Sequence, residues 1–124
     1  MSFLAIFNMQ TDNSIRKQLH DTALKAPSTS GVYFWKDEAG TVIYVGKAKN
    51  LKKRLSSYFS GQKDIKTQIL VSRAYSIEYI TTANEYEAFI LENNMIKEHS
   101  PRYNINLKDG KSYPVLKITN EEFP

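Results

Sequence analysis

Residues 31–46 read Gly31-Val32-Tyr33-Phe34-Trp35-Lys36-Asp37-Glu38-Ala39-Gly40-Thr41-Val42-Ile43-Tyr44-Val45-Gly46. Two aromatic and β-branched runs, Gly31 to Lys36 and Thr41 to Val45, flank the polar Asp37-Glu38-Ala39-Gly40, which puts glycine where a turn needs it. The pattern is that of a β-hairpin. Strands of this composition are usually half-buried sheet, and tyrosines within them are usually just strand formers.

Working toward the N-terminus, Asp12 or Asn13 can cap a helix carrying Ile15, Leu19 and Ala23 at helical spacing. It ends near the breaker Pro27-Ser28-Thr29-Ser30, and residues 1–11 are expected to form a flexible tail. Toward the C-terminus, Asn50 caps a helix to about Phe59, with Leu51, Leu55 and Phe59 as its apolar stripe. A helix over Asp64 to Ala74, a strand over Ser76 to Thr82 and a helix starting at Asn84 follow, the last with Glu87 spaced as in a capping box. Ser100-Pro101 stops that helix, and Tyr113 to Thr119 reads as one more strand. The fold class is α+β, with one domain over residues 12–119 and a polar stretch at 120–124 that resembles the start of a linker.

A chain of 124 residues, 41% hydrophobic, buries one modest core, in keeping with one domain. The absence of cysteine excludes disulfides and thiolate metal sites, and His20 and His99 alone do not make a histidine-rich one. No stretch approaches the roughly 18 apolar residues of a membrane span, and the Phe3 to Phe7 run has no charged leader. A soluble, cytoplasmic protein is the expectation.

The net charge of +4 understates how unevenly charge is distributed. Between Glu38 and Asp64 there is no acidic residue, yet six cations fall there: Lys47, Lys49, Lys52, Lys53, Arg54 and Lys63. Without that segment the chain is left with 11 basic and 13 acidic residues, so the positive potential belongs to one region. Such a region suits a phosphate-facing groove, the alternative being a solvated helix face.

On the helix that starts at Asn84, Ala88, Phe89, Leu91, Met95 and Ile96 form one apolar arc, and Glu92 falls inside it. Burying an unpaired carboxylate costs several kcal/mol, so Glu92 should be neutralised, paired with a cationic side chain, or bound to a metal ion. Arg54 and its i+4 neighbour Tyr58 can project together from the basic helix. A carboxylate, an arginine, a lysine and several tyrosines, without a histidine pair, form a coherent set for phosphodiester hydrolysis.

Gly31-Val32-Tyr33, ten residues and then Tyr44-Val45-Gly46 resemble the signature of the GIY-YIG nucleases in its valine-substituted form. The other elements follow in order: Lys47, Arg54, Tyr58, Glu92 and Asn104, over roughly residues 15 to 118. The text is most similar to the UvrC subgroup through Gly46-Lys47-Ala48-Lys49-Asn50-Leu51, Glu87-Ala88-Phe89-Ile90-Leu91-Glu92 and Ser100-Pro101-Arg102-Tyr103-Asn104, together with Leu107-Lys108-Asp109.

The resemblance implies a small nuclease fold, a central and mainly antiparallel three-stranded sheet flanked by helices. It implies one divalent metal, Mg2+ or Mn2+, on Glu92, with Tyr33 orienting or deprotonating the attacking water and Tyr44 assisting. It assigns phosphate charge to Arg54, with Lys47 and Tyr58 in support and Asn104 as an indirect or DNA-positioning residue. A phenol's reference pKa is about 10, so a tyrosine base near neutrality needs a metal or cationic neighbour, and base and orienter both stay open. The DNA contacts implied are Lys47, Lys49, Lys52, Lys53 and Arg54. The substrate implied is damaged double-stranded DNA, cut on the 3′ side of a lesion, with the helicase UvrB as partner through regions outside this chain. The domain itself is expected to be monomeric. The alternatives are a stand-alone nuclease of the same family and a catalytically silent DNA-binding module in which Glu92 pairs with Arg54 or Lys47.

Overall fold

In the computed structural model, which describes residues 3–61 and 63–104, the hairpin is formed by β1 (Gly31–Lys36) and β2 (Val42–Ala48). At its turn the Asp37 carboxylate accepts from the N–H groups of Ala39 and Thr41, both at 3.0 Å, and Gly40 takes φ 88°. That φ is one only glycine adopts without strain. β2 continues three residues beyond the expected Val45, so Gly46 and Lys47 are strand residues opposite Tyr33 and Val32, not part of a turn. The third strand, β3 (Ser76–Thr81), pairs with the other edge of β1, giving the order β2-β1-β3, antiparallel throughout.

As the central strand, β1 is buried on both faces. Tyr33 and Trp35 point to one side and pack with Leu19, Leu51, Leu55, Tyr58, Leu70 and Ile77. Val32 and Phe34 point to the other, against Val42, Val45 and Ala88. The sheet is thus a middle layer, with helices α1 (Phe3–Lys25), α2 (Leu51–Ser57) and α3 (Ile65–Arg73) on the Tyr33 face and α4 (Glu85–His99) on the other.

Helix α1 carries the expected Leu19 and Ala23 contacts and starts at Phe3, ahead of the expected cap at Asp12 or Asn13. No glycine or proline interrupts residues 3–25, so nothing in the chain stops the helix from running through Asp12 and Asn13. Helix α2 is shorter than expected, with Tyr58 as its C-cap. Asn50 caps it as read from sequence, its side chain accepting from the Lys53 N–H at 3.0 Å. The N–H groups of Leu51 and Lys52 donate to the carbonyls of Thr29 and Pro27 at 2.9 and 3.1 Å, which ties the helix to the loop entering β1. Asp64 and Asn84 cap α3 and α4. Glu87 reaches back to the Ala83 N–H at 3.0 Å, one residue before the cap where a capping box would place it.

Helix α4 ends at Ser100, which takes φ 43° and ψ 56° and turns the chain before Pro101. A helical turn over residues 102–104 then delivers Asn104 to the outer edge of β2. Its carboxamide accepts from the Val45 N–H at 2.8 Å and donates to the Val45 carbonyl at 2.9 Å. One side chain therefore does there what a neighbouring strand would do, satisfying two buried backbone groups. The expected strand over Tyr113 to Thr119 and the linker at 120–124 lie outside the described residues.

A Cβ on Gly46 would fall 2.5 Å from both Cζ and the hydroxyl of Tyr33, whose ring crosses the strand at that point. Gly46→Ala should therefore lower the unfolding free energy by about 1–3 kcal/mol, the usual cost of overpacking a close-fitting core. Urea denaturation reads this directly, and an unchanged midpoint would mean that the Tyr33 ring moves aside freely.

Candidate functional site

Three tyrosines and one arginine converge where β1, β2 and α2 meet. The hydroxyls of Tyr33 and Tyr58 lie 2.8 Å apart, and Arg54 Nε donates to the Tyr33 hydroxyl at 3.2 Å. The Arg54 guanidinium also lies over the Tyr58 ring, 5.0 Å from its centroid, so the i, i+4 pair read from sequence does project together. Tyr44 completes the group, its ring 6.3 Å from that of Tyr33. Trp35 backs Tyr58 at 4.8 Å and closes the cluster from the core side.

Leu51 and Leu55 are fully buried and fix the rotation of α2 about its axis, which leaves Arg54 on the flank facing Tyr33. Tyr33 reaches Arg54 across β2 because Gly46 has no side chain in the way. In sequence Gly46 closes the Tyr44-Val45-Gly46 motif; the strand register that sets it opposite Tyr33 shows what a glycine does there.

The electrostatics follow from partial burial. Burial pushes the Tyr44 hydroxyl up to about 12, and the charges of Tyr33 and Glu92 add to that rise while Arg54 opposes it. Tyr58 is raised further, again chiefly by burial and then by Tyr33 and Tyr44. Burial works against the charge on Arg54, but the neighbouring Tyr33 and Tyr58 hydroxyls outweigh it and hold the guanidinium protonated more firmly than usual. The Arg54 guanidinium is therefore the fixed cation of the cluster.

Glu92 sits half-buried on α4, on the side of the sheet opposite α2, and its carboxylate acts on Tyr44. The arc expected around it is only partly right. Ala88 is buried and Leu91, Met95 and Ile96 pack against the sheet, but Phe89 faces outward and is 47% exposed. Among the described residues no group of three or more His, Cys, Asp or Glu side chains could hold a metal ion. A single carboxylate beside phenol oxygens fits a hard cation that keeps most of its water, as magnesium does.

Next to the cluster lies an open cleft of about 700 Å³ between α2, the end of β2 and the start of α4. Lys47, Lys49, Lys53 and Arg54 line its basic side. Lys52, grouped with them on sequence, is exposed but is not part of this lining, because it stands on a different flank of α2. Opposite are Glu85, Tyr86 and Phe89, of which sequence reading singled out only Phe89, and that for the core. A second hollow of about 280 Å³ lies beyond Arg54, between Tyr44, Tyr58, Tyr103 and α3. Arg54 lines both, and so stands between them. Asn104 does not enter the tyrosine cluster; it holds the backbone of Val45, between Tyr44 and Gly46.

The chain is similar to known proteins over nearly all of this structure. It is 76% identical over 109 residues, 88% of its length, to the UvrABC system protein C of Treponema denticola. To that of Treponema pallidum it is 60% identical over 116 residues, 94% of its length. The chain spans about 17% of the length of either relative. A crystal structure of the GIY-YIG N-terminal endonuclease domain of UvrC from Thermotoga maritima, bound to its catalytic divalent cation magnesium, superposes with a TM-score of 0.66 at 43% identity. The match covers 71% of this chain and 97% of that domain. Residues 29–105, from the loop before β1 to just past Asn104, match the family described as the UvrC-like GIY-YIG domain, and the chain belongs to that family.

Proposed function

We propose that this chain is a divalent-metal-dependent DNA endonuclease domain that hydrolyses a phosphodiester bond on the 3′ side of a lesion during nucleotide excision repair. The observation that carries the reading is the bond from Arg54 to the Tyr33 hydroxyl, itself paired with Tyr58, at the end of a cleft lined by three lysines. The magnesium-bound relative supports the same chemistry.

In this reading Lys47, Lys49 and Lys53 hold the DNA backbone, and Arg54, with Nε committed to Tyr33, turns its terminal nitrogens to the scissile phosphate. Fixed in advance and held cationic, Arg54 stabilises the charge that builds on the phosphoryl oxygens. A cation held by Glu92, magnesium or manganese, supplies Lewis acidity to the phosphate when bound. Tyr33 orients the attacking water through its hydroxyl, whose own position is set by Arg54 and Tyr58. Burial pushes the Tyr44 pKa up to about 12, which suits its hydroxyl to donating a hydrogen bond in support of the reaction. Asn104 supports the reaction indirectly by keeping β2, and so Tyr44, in register. The substrate is damaged double-stranded DNA, met by a monomeric domain in the cytoplasm, and UvrB engages other parts of the longer protein. No helix among the described residues is long and apolar enough to cross a membrane.

Three outcomes are expected. Glu92→Gln should reduce cutting of a lesion-bearing duplex by at least about a hundred-fold in magnesium or manganese, while duplex affinity stays level or rises as a negative charge is removed. Parallel loss of folding and binding would instead assign Glu92 a structural role.

Lys49→Ala with Lys53→Ala should flatten the salt dependence of duplex affinity by about 0.9 in log–log slope for each phosphate that is no longer neutralised. Lys52→Ala, off the cleft, should change that slope less, and equal slopes would sink the assignment of the cleft.

Ultraviolet titration, compared with Tyr44→Phe, should show one phenol ionising near pH 12 where an ordinary one ionises at 10.0. Because the unfolded chain loses this proton first, the raised value contributes stability that is complete below pH 10 and is lost as pH rises toward 12. A Tyr44 titrating at the ordinary value would show that burial does not hold its proton.

A further inference from the structure

The two walls of the main cleft differ in chemistry. On one side stand Lys47, Lys49, Lys53 and Arg54; on the other, Glu85, Tyr86 and Phe89 from the first turns of α4. Tyr86 and Phe89 are three residues apart on a helix and share a face. They are 72% and 47% exposed, although the same helix buries Ala88 against the sheet. Two neighbouring exposed aromatics on a cleft wall are not explained by packing, and the reaction as derived above makes no use of them.

Charge decides which part of a nucleic acid can meet each wall. The lysine wall attracts phosphate. The α4 wall does not: Glu85 lines it, Glu87 lies in the same turn, and the Glu87 N–H in that turn is engaged by the Asn84 cap. An anionic backbone held on the α2 side therefore presents its other edge, the bases, to Tyr86 and Phe89. Within an intact duplex the bases are stacked on one another and their faces are closed to a side chain. An unpaired base, as at a disrupted site, has an open face that an aromatic ring can take up regardless of sequence.

Resting on the nuclease reading, we propose that Tyr86 and Phe89 form a stacking platform for an unpaired nucleobase of the strand whose phosphates lie along Lys47, Lys49 and Lys53. The domain then recognises locally opened DNA through its own surface, in addition to any recognition made elsewhere in the longer protein. The base identity is not read, because the platform offers ring faces and no matched set of donors and acceptors.

The test compares the affinity of the 124-residue chain for a fully paired duplex and for the same duplex with a short unpaired bubble, by fluorescence anisotropy over a range of salt. Tyr86→Ala with Phe89→Ala should weaken bubble binding about five-fold or more, the least effect expected when a base loses its aromatic stacking partner. Duplex affinity and its salt slope should be unchanged. Tyr86→Phe with Phe89→Tyr should retain bubble binding, and Tyr86→Leu with Phe89→Leu, apolar but without π-faces, should lose it. Equal losses on both DNA forms, or bubble binding kept by the leucine pair, would overturn the platform while leaving the nuclease reading intact. If the unaltered chain bound neither form, both readings would fall together.

Discussion

A single hydrogen bond, from Arg54 Nε to the Tyr33 hydroxyl, joins the parts of this structure that have to act together. It links the central strand to the basic helix, and it depends on everything that fixes the two side chains. Tyr33 is held by the sheet register that sets it opposite Gly46, where any larger residue would collide with its ring. Arg54 is held by the burial of Leu51 and Leu55 and by the tie from the start of α2 to the carbonyls of Pro27 and Thr29. Tyr58, one turn after Arg54, bonds the same hydroxyl and lies beneath the guanidinium. The functional groups are thus pre-positioned by the core itself, since Tyr33 and Tyr58 belong to the main hydrophobic cluster.

The cost of this arrangement is the partial burial of polar groups, and the structure offsets it by pairing them. Tyr33 and Tyr58 beside Arg54 strengthen the hold on the guanidinium proton, while burial lifts the pKa values of Tyr44 and Tyr58. That leaves a fixed positive charge in a partly desolvated place, the condition under which a developing phosphate charge is stabilised most effectively. Asn104 applies the same logic at the sheet edge, where one carboxamide satisfies both backbone groups of Val45. Glu92 reaches the site from the opposite layer, so its alignment with Tyr44 depends on how α4 packs across β1 and β2.

Much of this was determined by the sequence alone. The hairpin, the caps Asn50 and Asn84, the pairing of Arg54 with Tyr58 and the concentration of charge between Lys47 and Lys63 are local facts, because turn chemistry, capping and helical spacing act over a few residues. The family followed from motifs spread along the chain in fixed order. Tertiary structure alone decided the rest, since it depends on residues far apart in sequence. Only strand register brings Gly46 under Tyr33, and only a 59-residue separation closed by folding gives Asn104 its place on Val45. A helical wheel counts Phe89 as core because it shows the apolar arc but not which part of it the sheet covers, and in the fold Ala88, Leu91, Met95 and Ile96 pack there while Phe89 stays 47% exposed. For the same reason Lys52 and Lys53 look equivalent in the sequence, and only the position of α2 beside α4 sets one of them in the cleft and leaves the other outside it.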